Sequence, residues 1–415
     1  MKKHFLAASL LLSSVASSFG AAYQLNLQGL RQLAMGGTGT AWAWDASTIF
    51  YNPGGLAYLK GIQIYGSALA IMPTTAFSNQ ANSGTSSTSL TTHKQTFVPF
   101  NFYVGGPLQE DGKVALGLGI YTPFGSGLEW DDNWLGKYLV QSIELKSVFF
   151  QPTISYRAAD WLSVGAGFIF ATGTLDYRSA LPVHGMYGPT DQGGEATLHG
   201  TATGVGFNLG VNMKLSNNFR VGLTYRSQVN MNLGSGSANF TVPASLRDSF
   251  PNTHFDSQLP LPQVASIGFG WRINDVTLQL DLNYTGWNSY DSLRFNFATH
   301  TSSLQDMHAP RHYRNTLTPR VGINYKISKV VSLMGGFAYD PTPVPNGYVS
   351  PDLPDADRIV LTCGISVKPL PRFTVLAAFE GVSSVKRTAN YEYGGFSGIY
   401  KTQAATPGIG VYYNF

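Results

Sequence analysis

Residues 276–284 read "VTLQLDLNY", and their alternation decides the fold. Val276, Leu278, Leu280, Leu282 and Tyr284 fall on one face of an extended chain, and Thr277, Gln279, Asp281 and Asn283 on the other. The pattern returns at 220–231, where Val221, Leu223, Tyr225, Val229 and Met231 oppose Arg220, Thr224, Arg226, Gln228 and Asn230. It returns again at 358–368, with Ile359, Leu361, Cys363, Ile365 and Val367 against Arg358, Thr362, Ser366 and Lys368. It also closes the chain. In "GIGVYYNF" (408–415), Ile409, Val411, Tyr413 and Phe415 repeat with period two, so one face stays apolar to the last residue.

Fourteen such segments are expected between 61–72 and 404–415. Long connections near 73–94, 122–146, 176–198, 232–262, 288–312, 341–355 and 384–403 alternate with short turns near 106–112, 158–160, 215–217, 273–275, 327–329 and 369–371. All the short turns therefore fall on one rim. That layout predicts an all-β protein, a 14-stranded antiparallel transmembrane β-barrel, in which closure leaves no backbone group unpaired in lipid. A soluble sandwich or propeller would leave the alternation of loop lengths unexplained. Parity turns Arg220, Arg226, Arg320, Asp281, Glu380 and Lys214 inward, away from hydrocarbon. Tyr103, Tyr121, Tyr156, Trp161, Trp271, Trp287 and Tyr339 sit near segment ends, where interfacial aromatic girdles belong. Pro99, Pro152 and Pro319 fall inside expected strands and call for bulges or kinks.

Composition agrees. Charged residues are 12% of the 415, against roughly 25% in soluble domains. Aromatics reach 13% and glycine 46 residues. No run in the mature region approaches the ~18 apolar residues of a membrane helix. Lys2 and Lys3 before "FLAASLLLSSVASS" read as a signal peptide, residues 1–20, cut near Gly20. Cys363 is the only cysteine, so no intrachain disulfide forms. A net charge of +4 without a basic cluster makes nucleic acid a poor partner.

Residues 21–60 read differently, with Gly36, Gly37, Gly39, Gly54, Gly55 and two tryptophans in a compact stretch lacking long periodicity. A barrel this wide needs filling, and this segment is the expected N-terminal hatch (plug) inside the lumen, with 61–415 as the barrel. Four stretches resemble the FadL-type family of outer-membrane transporters for long-chain fatty acids and other hydrophobic compounds. They are "AAYQLNLQG" (21–29), "DASTIFYNPGGLA" (45–57), "SIELKSVFFQPTISYRAADWLSVGAGF" (142–168) and "GFAYDPTPVPNGYVSPDLPDADRIVLTCGISV" (336–367). The resemblance implies a hatched fourteen-stranded barrel in the cell outer membrane. It also implies passive uptake of fatty acids or aromatic hydrocarbons by capture at an outer groove, hatch rearrangement and lateral exit through the wall.

The resemblance extends to residues. Family hatches carry Asn-Pro-Ala against a kinked third strand; here the motif is Asn52, Pro53 and Gly54, with Tyr23, Gln24 and Leu25 in the first matched stretch. In "VALGLGIYTPFG", Gly117 and Gly119 would make the kink cheap. Trp130, Trp134 and Tyr138 form a helical stripe beside Leu135 and Leu139, which either packs against neighbouring loops or, by the resemblance, lines the capture groove. Arg314, which parity turns inward, and Arg178, which parity turns outward, match family cations that hold a carboxylate, although both also suit solvated rim positions. No catalytic constellation, metal set or cofactor motif is found, and His308 and His312 read as solvated, so no enzyme is expected. Outer-membrane lipid, lipopolysaccharide and the barrel assembly machinery are the expected partners of a monomer. A general diffusion porin and a surface adhesin are the alternatives.

Overall fold

Alternating faces solve the burial problem of each strand only if the sheet closes. The computed structural model describes residues 22–79, 89–108, 112–183 and 193–415, so the expected signal peptide lies outside the described residues. The wall has fourteen antiparallel strands in chain order, several of them interrupted. The first is Gln63–Leu69 with Met72–Ser78, the second Ser89–Thr91 with Phe100–Pro107, and the third Val114–Tyr121 with Gly125–Glu129. Strands four to six are Ser142–Ala159, Leu162–Leu181 and Gly194–Lys214. The seventh is Phe219–Arg226 with Val229–Thr241, the eighth Thr253–Leu261 with Val264–Ile273, and the ninth Val276–Thr285 with Ser292–Phe297. The tenth is Met307–Pro310 with Thr316–Lys326, followed by Val331–Asp340 and Arg358–Leu370. Phe373–Ser384 with Arg387–Tyr391, and then Phe396–Asn414, complete the wall.

The last strand pairs with the first, Gln63 opposite Asn414 through Leu69 opposite Gly408, which removes the open edges. Side chains obey the alternation. Leu278, Leu280, Leu282 and Tyr284 are exposed on the outer face, while Thr277, Gln279 and Asp281 are buried inside. Hydrocarbon meets one set and the lumen the other.

The prolines are accommodated without the expected bulges. Strand four pairs with strand five at Phe150–Phe170 and Thr153–Gly167 in one unbroken register, and only the ladder around Pro152 is missing. Pro319 stands opposite Leu282, and pairing with strand eleven starts at the next residue, Arg320 with Ala338. Pro99 precedes the strand that starts at Phe100 and uses its carbonyl to accept from the Leu69 N–H at 3.1 Å. Each ring nitrogen falls where no ladder bond is needed.

Residues 22–60 lie within this wall. Their short helices, Leu30–Ala34, Thr48–Tyr51 and Pro53–Tyr58, are too brief to stand alone and are held by side chains of the lumen face. Asp281 accepts from the Gly39 and Thr40 N–H groups at 2.8 and 2.9 Å. Arg320 donates to the Gly36 carbonyl at 3.0 Å and Arg226 to that of Phe50 at 2.8 Å. In the opposite direction Arg31 donates to Asn324 at 2.9 Å and Ser366 at 2.8 Å. Gly36 has φ +71°, and a Cβ there would fall 2.8 Å from the Val321 carbonyl oxygen, so glycine is required on both counts.

Candidate functional site

The third strand departs from regular pairing beside the hatch. Tyr121 pairs with Phe149, and Gly125 with Lys146, so four steps along strand three oppose three along strand four. Thr122, Pro123 and Phe124 carry the extra residue, and Pro123 can donate no ladder bond there. The break therefore lies beyond Gly117 and Gly119, which are in the regular part of the strand. A Cβ on Gly117 would fall 2.6 Å from Cδ1 of Ile49, and one on Gly119 2.9 Å from the Tyr103 ring. These glycines admit the hatch to the wall instead of bending it.

Strands two and three pair as far as Asn101 with Tyr121. The next backbone bond between them joins the His93 N–H to the Glu129 carbonyl at 2.8 Å. Between these two points the wall is parted. Residues 22–25 of the hatch supply strand three with a substitute partner: Leu25 donates to Pro123 at 2.9 Å, Gly125 donates to Tyr23 at 3.0 Å, and Gln24 bridges Phe124. The Tyr23 hydroxyl donates to the Pro260 carbonyl at 2.7 Å, and its ring meets Trp287 edge-on at 4.9 Å. Burial, reinforced by Tyr290 and Tyr313, pushes the Tyr23 phenol well above its ordinary range, so it is a neutral donor.

A cavity of about 510 Å³ opens onto this parting. Leu25, Leu27, Ile71, Phe97, Phe124, Leu128 and Leu145 give it an apolar wall, and Arg320, Asp340, Asp355, Arg358 and Glu380 a charged one. A smaller cavity of about 70 Å³ adjoins it, lined by Leu175, Met231, Leu233, Leu259, Leu261 and Phe295, and shares Leu145, Lys146 and Leu353. Tyr23 faces the smaller cavity while Ala22, Gln24 and Leu25 line the larger. The extended start of the hatch thus runs between them.

Asn52, Pro53 and Gly54 lie elsewhere than the resemblance implied. Asn52 donates to Thr40 at 2.7 Å and to Val211 at 3.0 Å and accepts from Gly54 at 3.0 Å. Ser155 and Ser163 donate to the Gly54 carbonyl at 3.2 and 2.5 Å. The motif anchors the hatch to strands four, five and six, while Tyr23, Gln24 and Leu25 meet the break.

The outer-loop stripe divides. Trp130 and Trp134 are buried, stacked at 4.5 Å and 18°, and edge-packed by Phe77. Their indole N–H groups donate to Pro351 at 3.1 Å and Val140 at 2.7 Å. Residues 131–139 form turns and not a helix, leaving Leu135 and Tyr138 53% and 46% exposed and Leu139 half-buried. The tryptophans are the core of the loop cap.

Neither expected cation lines either of these two cavities. Arg314 is exposed and precedes the strand that begins at Thr316, so strand parity does not reach it. Arg178 sits at the outer rim, paired with Asp132 at 2.8 Å, Glu195 at 3.2 Å and Glu129 at 3.7 Å. Sequence reasoning missed the buried pair Arg311–Asp352, at 2.7 Å, which ties two outer loops together. It also missed Phe97 and Phe124 at the parting; Pro123, present in "YTPFG", was the available signal.

The comparisons agree with this architecture. A long-chain fatty acid transport protein of Escherichia coli O6:H1 is 24% identical, with 94% of this chain and 91% of that protein covered. A Pseudomonas aeruginosa FadL homologue of known structure superimposes with a TM-score of 0.82 at 19% identity, covering 95% of this chain and all of that one. The toluene transporter TodX of P. putida gives 0.72 at 16%, covering 93% and 98%. The family model described as outer membrane protein transport protein (OMPP1/FadL/TodX) matches residues 9–415. The chain belongs to that family of outer-membrane β-barrel transport proteins.

Proposed function

We propose that the protein is a passive channel for hydrophobic small molecules, which it takes up from the outer leaflet and releases sideways into the membrane. The carrying observation is the parting of strands two and three beside the large cavity, filled by residues 22–25. An insoluble molecule leaving through that parting would stay in hydrocarbon throughout, which avoids the cost of rehydrating its apolar surface. Relatives named for long-chain fatty acid and toluene transport support this substrate range.

In this reading the exposed Leu135 and Tyr138 meet molecules arriving through lipopolysaccharide, the cavities hold them, and withdrawal of Tyr23, Gln24 and Leu25 opens the exit. Gly117 and Gly119 let the hatch slide close to the wall. No bond is made or broken, so neither catalysis nor a cofactor is required. Residues 1–20 direct export, the terminal strand engages the assembly machinery, and the closed wall works as a monomer. A diffusion porin fits poorly, because buried hatch side chains cross the lumen.

The test is uptake of a radiolabelled hydrophobic compound by cells with and without the protein, alongside single-channel recording. Facilitated uptake with no sustained open current supports the channel. A large stable ionic current would replace it with a porin.

A further inference from the structure

The charged wall of the large cavity distinguishes among hydrophobic ligands. Three cations line it, Lys146, Arg320 and Arg358, against four carboxylates, Glu144, Asp340, Asp355 and Glu380. Two of the cations are held in ion pairs, and the third, Arg320, is held by a backbone carbonyl. Lys146 pairs with Glu144 at 2.8 Å, Arg320 donates to the Gly36 carbonyl at 3.0 Å, and Arg358 pairs with Asp355 while donating to the Ala22 carbonyl at 3.2 Å. Two of the carboxylates have donors beyond those cations. Asp340 accepts from Thr318 at 3.1 Å, and Asp355 from Thr342 at 2.6 Å and the Ala22 N–H at 3.2 Å.

Glu380 differs. It stands on strand thirteen between Thr362 and Thr406, faces the cavity, and accepts no hydrogen bond from any described residue. Arg320 and Arg358 attract it through space and Asp340 repels it. It is an acceptor without a donor among the described residues, on the charged wall of a cavity whose other wall is apolar.

We propose that Glu380 selects neutral hydrophobic ligands carrying a hydroxyl donor, alcohols and phenols, and that the cavity disfavours carboxylates. The inference rests on the channel reading above and narrows its substrate class. A ligand O–H would give this carboxylate the donor it lacks, whereas a ligand carboxylate would be added to four carboxylates set against three cations. The carboxylate-binding cations implied by resemblance, Arg314 and Arg178, lie outside the cavity.

The experiment is native mass spectrometry of the intact barrel after incubation with equal amounts of 4-octylphenol, octylbenzene and 4-octylbenzoate at pH 8. These probes share one body and differ in the polar end. The wild-type protein should retain the phenol about tenfold over either competitor, the ratio expected for a hydrogen bond to a charged group. Glu380→Leu should erase the preference of phenol over octylbenzene, and Glu380→Gln should improve retention of the benzoate. Heat-modifiable gel mobility checks that each variant barrel is folded. Preferred retention of the benzoate by wild type, or an undiminished phenol preference in folded Glu380→Leu, overturns the selectivity. Equal retention of all three overturns it while leaving the channel intact. Retention of none rejects the cavity as a ligand site, and with it both readings.

Discussion

The backbone N–H of Leu25 donates to the carbonyl of Pro123 at 2.9 Å, joining the start of the hatch to wall strand three just past the end of its ladder with strand two. Strand two has left strand three at this level, so the hatch serves as its partner. A bond made by a short, non-wall segment can be exchanged without unzipping the barrel. That is the physical basis for proposing a gate here.

If the segment must withdraw, tethering it should stop transport. Gln24→Cys with Phe124→Cys, in a Cys363→Ser background, places two thiols at directly opposed positions of an antiparallel bridge, within disulfide reach. Uptake of a labelled hydrophobic compound should fall to the level of cells lacking the protein and return on reduction. Full uptake by the oxidised variant would mean that residues 22–25 do not gate.

Phe97 lines the large cavity beside the parting. Its ring lies over Gly127, where an added Cβ would fall 2.2 Å from the ring. Phe97→Ala should raise uptake of bulky hydrophobic compounds and leave heat-modifiable folding unchanged. A drop in uptake with a folded barrel would assign the ring to binding instead.

Asp281→Ala removes the carboxylate that accepts from Gly39 and Thr40. Two buried N–H groups lose a charged acceptor, a cost of roughly 2–5 kcal/mol by the usual values for such bonds. The wall should persist while the hatch loosens, seen as faster proteolysis within 36–44 and flickering conductance. Unaltered protection of that segment would show that packing alone seats the hatch.

Gly165 is the matching test of packing. A Cβ there would lie 2.4 Å from the carbonyl carbon of Pro53, backbone against backbone, so Gly165→Val must displace the hatch. Ion leakage through the assembled barrel is expected. An ion-tight variant would place Pro53 farther from the wall than its contacts indicate.

Arg314→Ala should leave uptake and assembly unchanged, within about 0.5 kcal/mol for an exposed position. A selective loss of fatty acid uptake would restore this residue to the binding path.

Much of the wall was legible because period-two alternation is a local property. Val276 to Tyr284 carry their sidedness whatever their neighbours do, and the loop lengths supply strand order. Arg320, Asp281 and Glu380 inherited correct inward placement from the same parity. Arg314 did not, because the strand starts two residues later and parity has no meaning in the loop before it. Trp130 and Trp134 have helical spacing, yet stacking with each other and packing against Phe77 from strand one make them a buried core in a turn. That contact lies beyond any local window.

The sequence by itself determined a membrane barrel with an unlike segment ahead of it, since each strand must satisfy oil on one side and polar groups on the other. Tertiary structure alone decided where that barrel parts. One extra residue around Pro123 changes the register against strand four, and register depends on both strands together. The same holds for the cavity: Glu380, Arg320, Arg358 and Leu25 come from distant parts of the chain, and only closure of the wall brings them to one place.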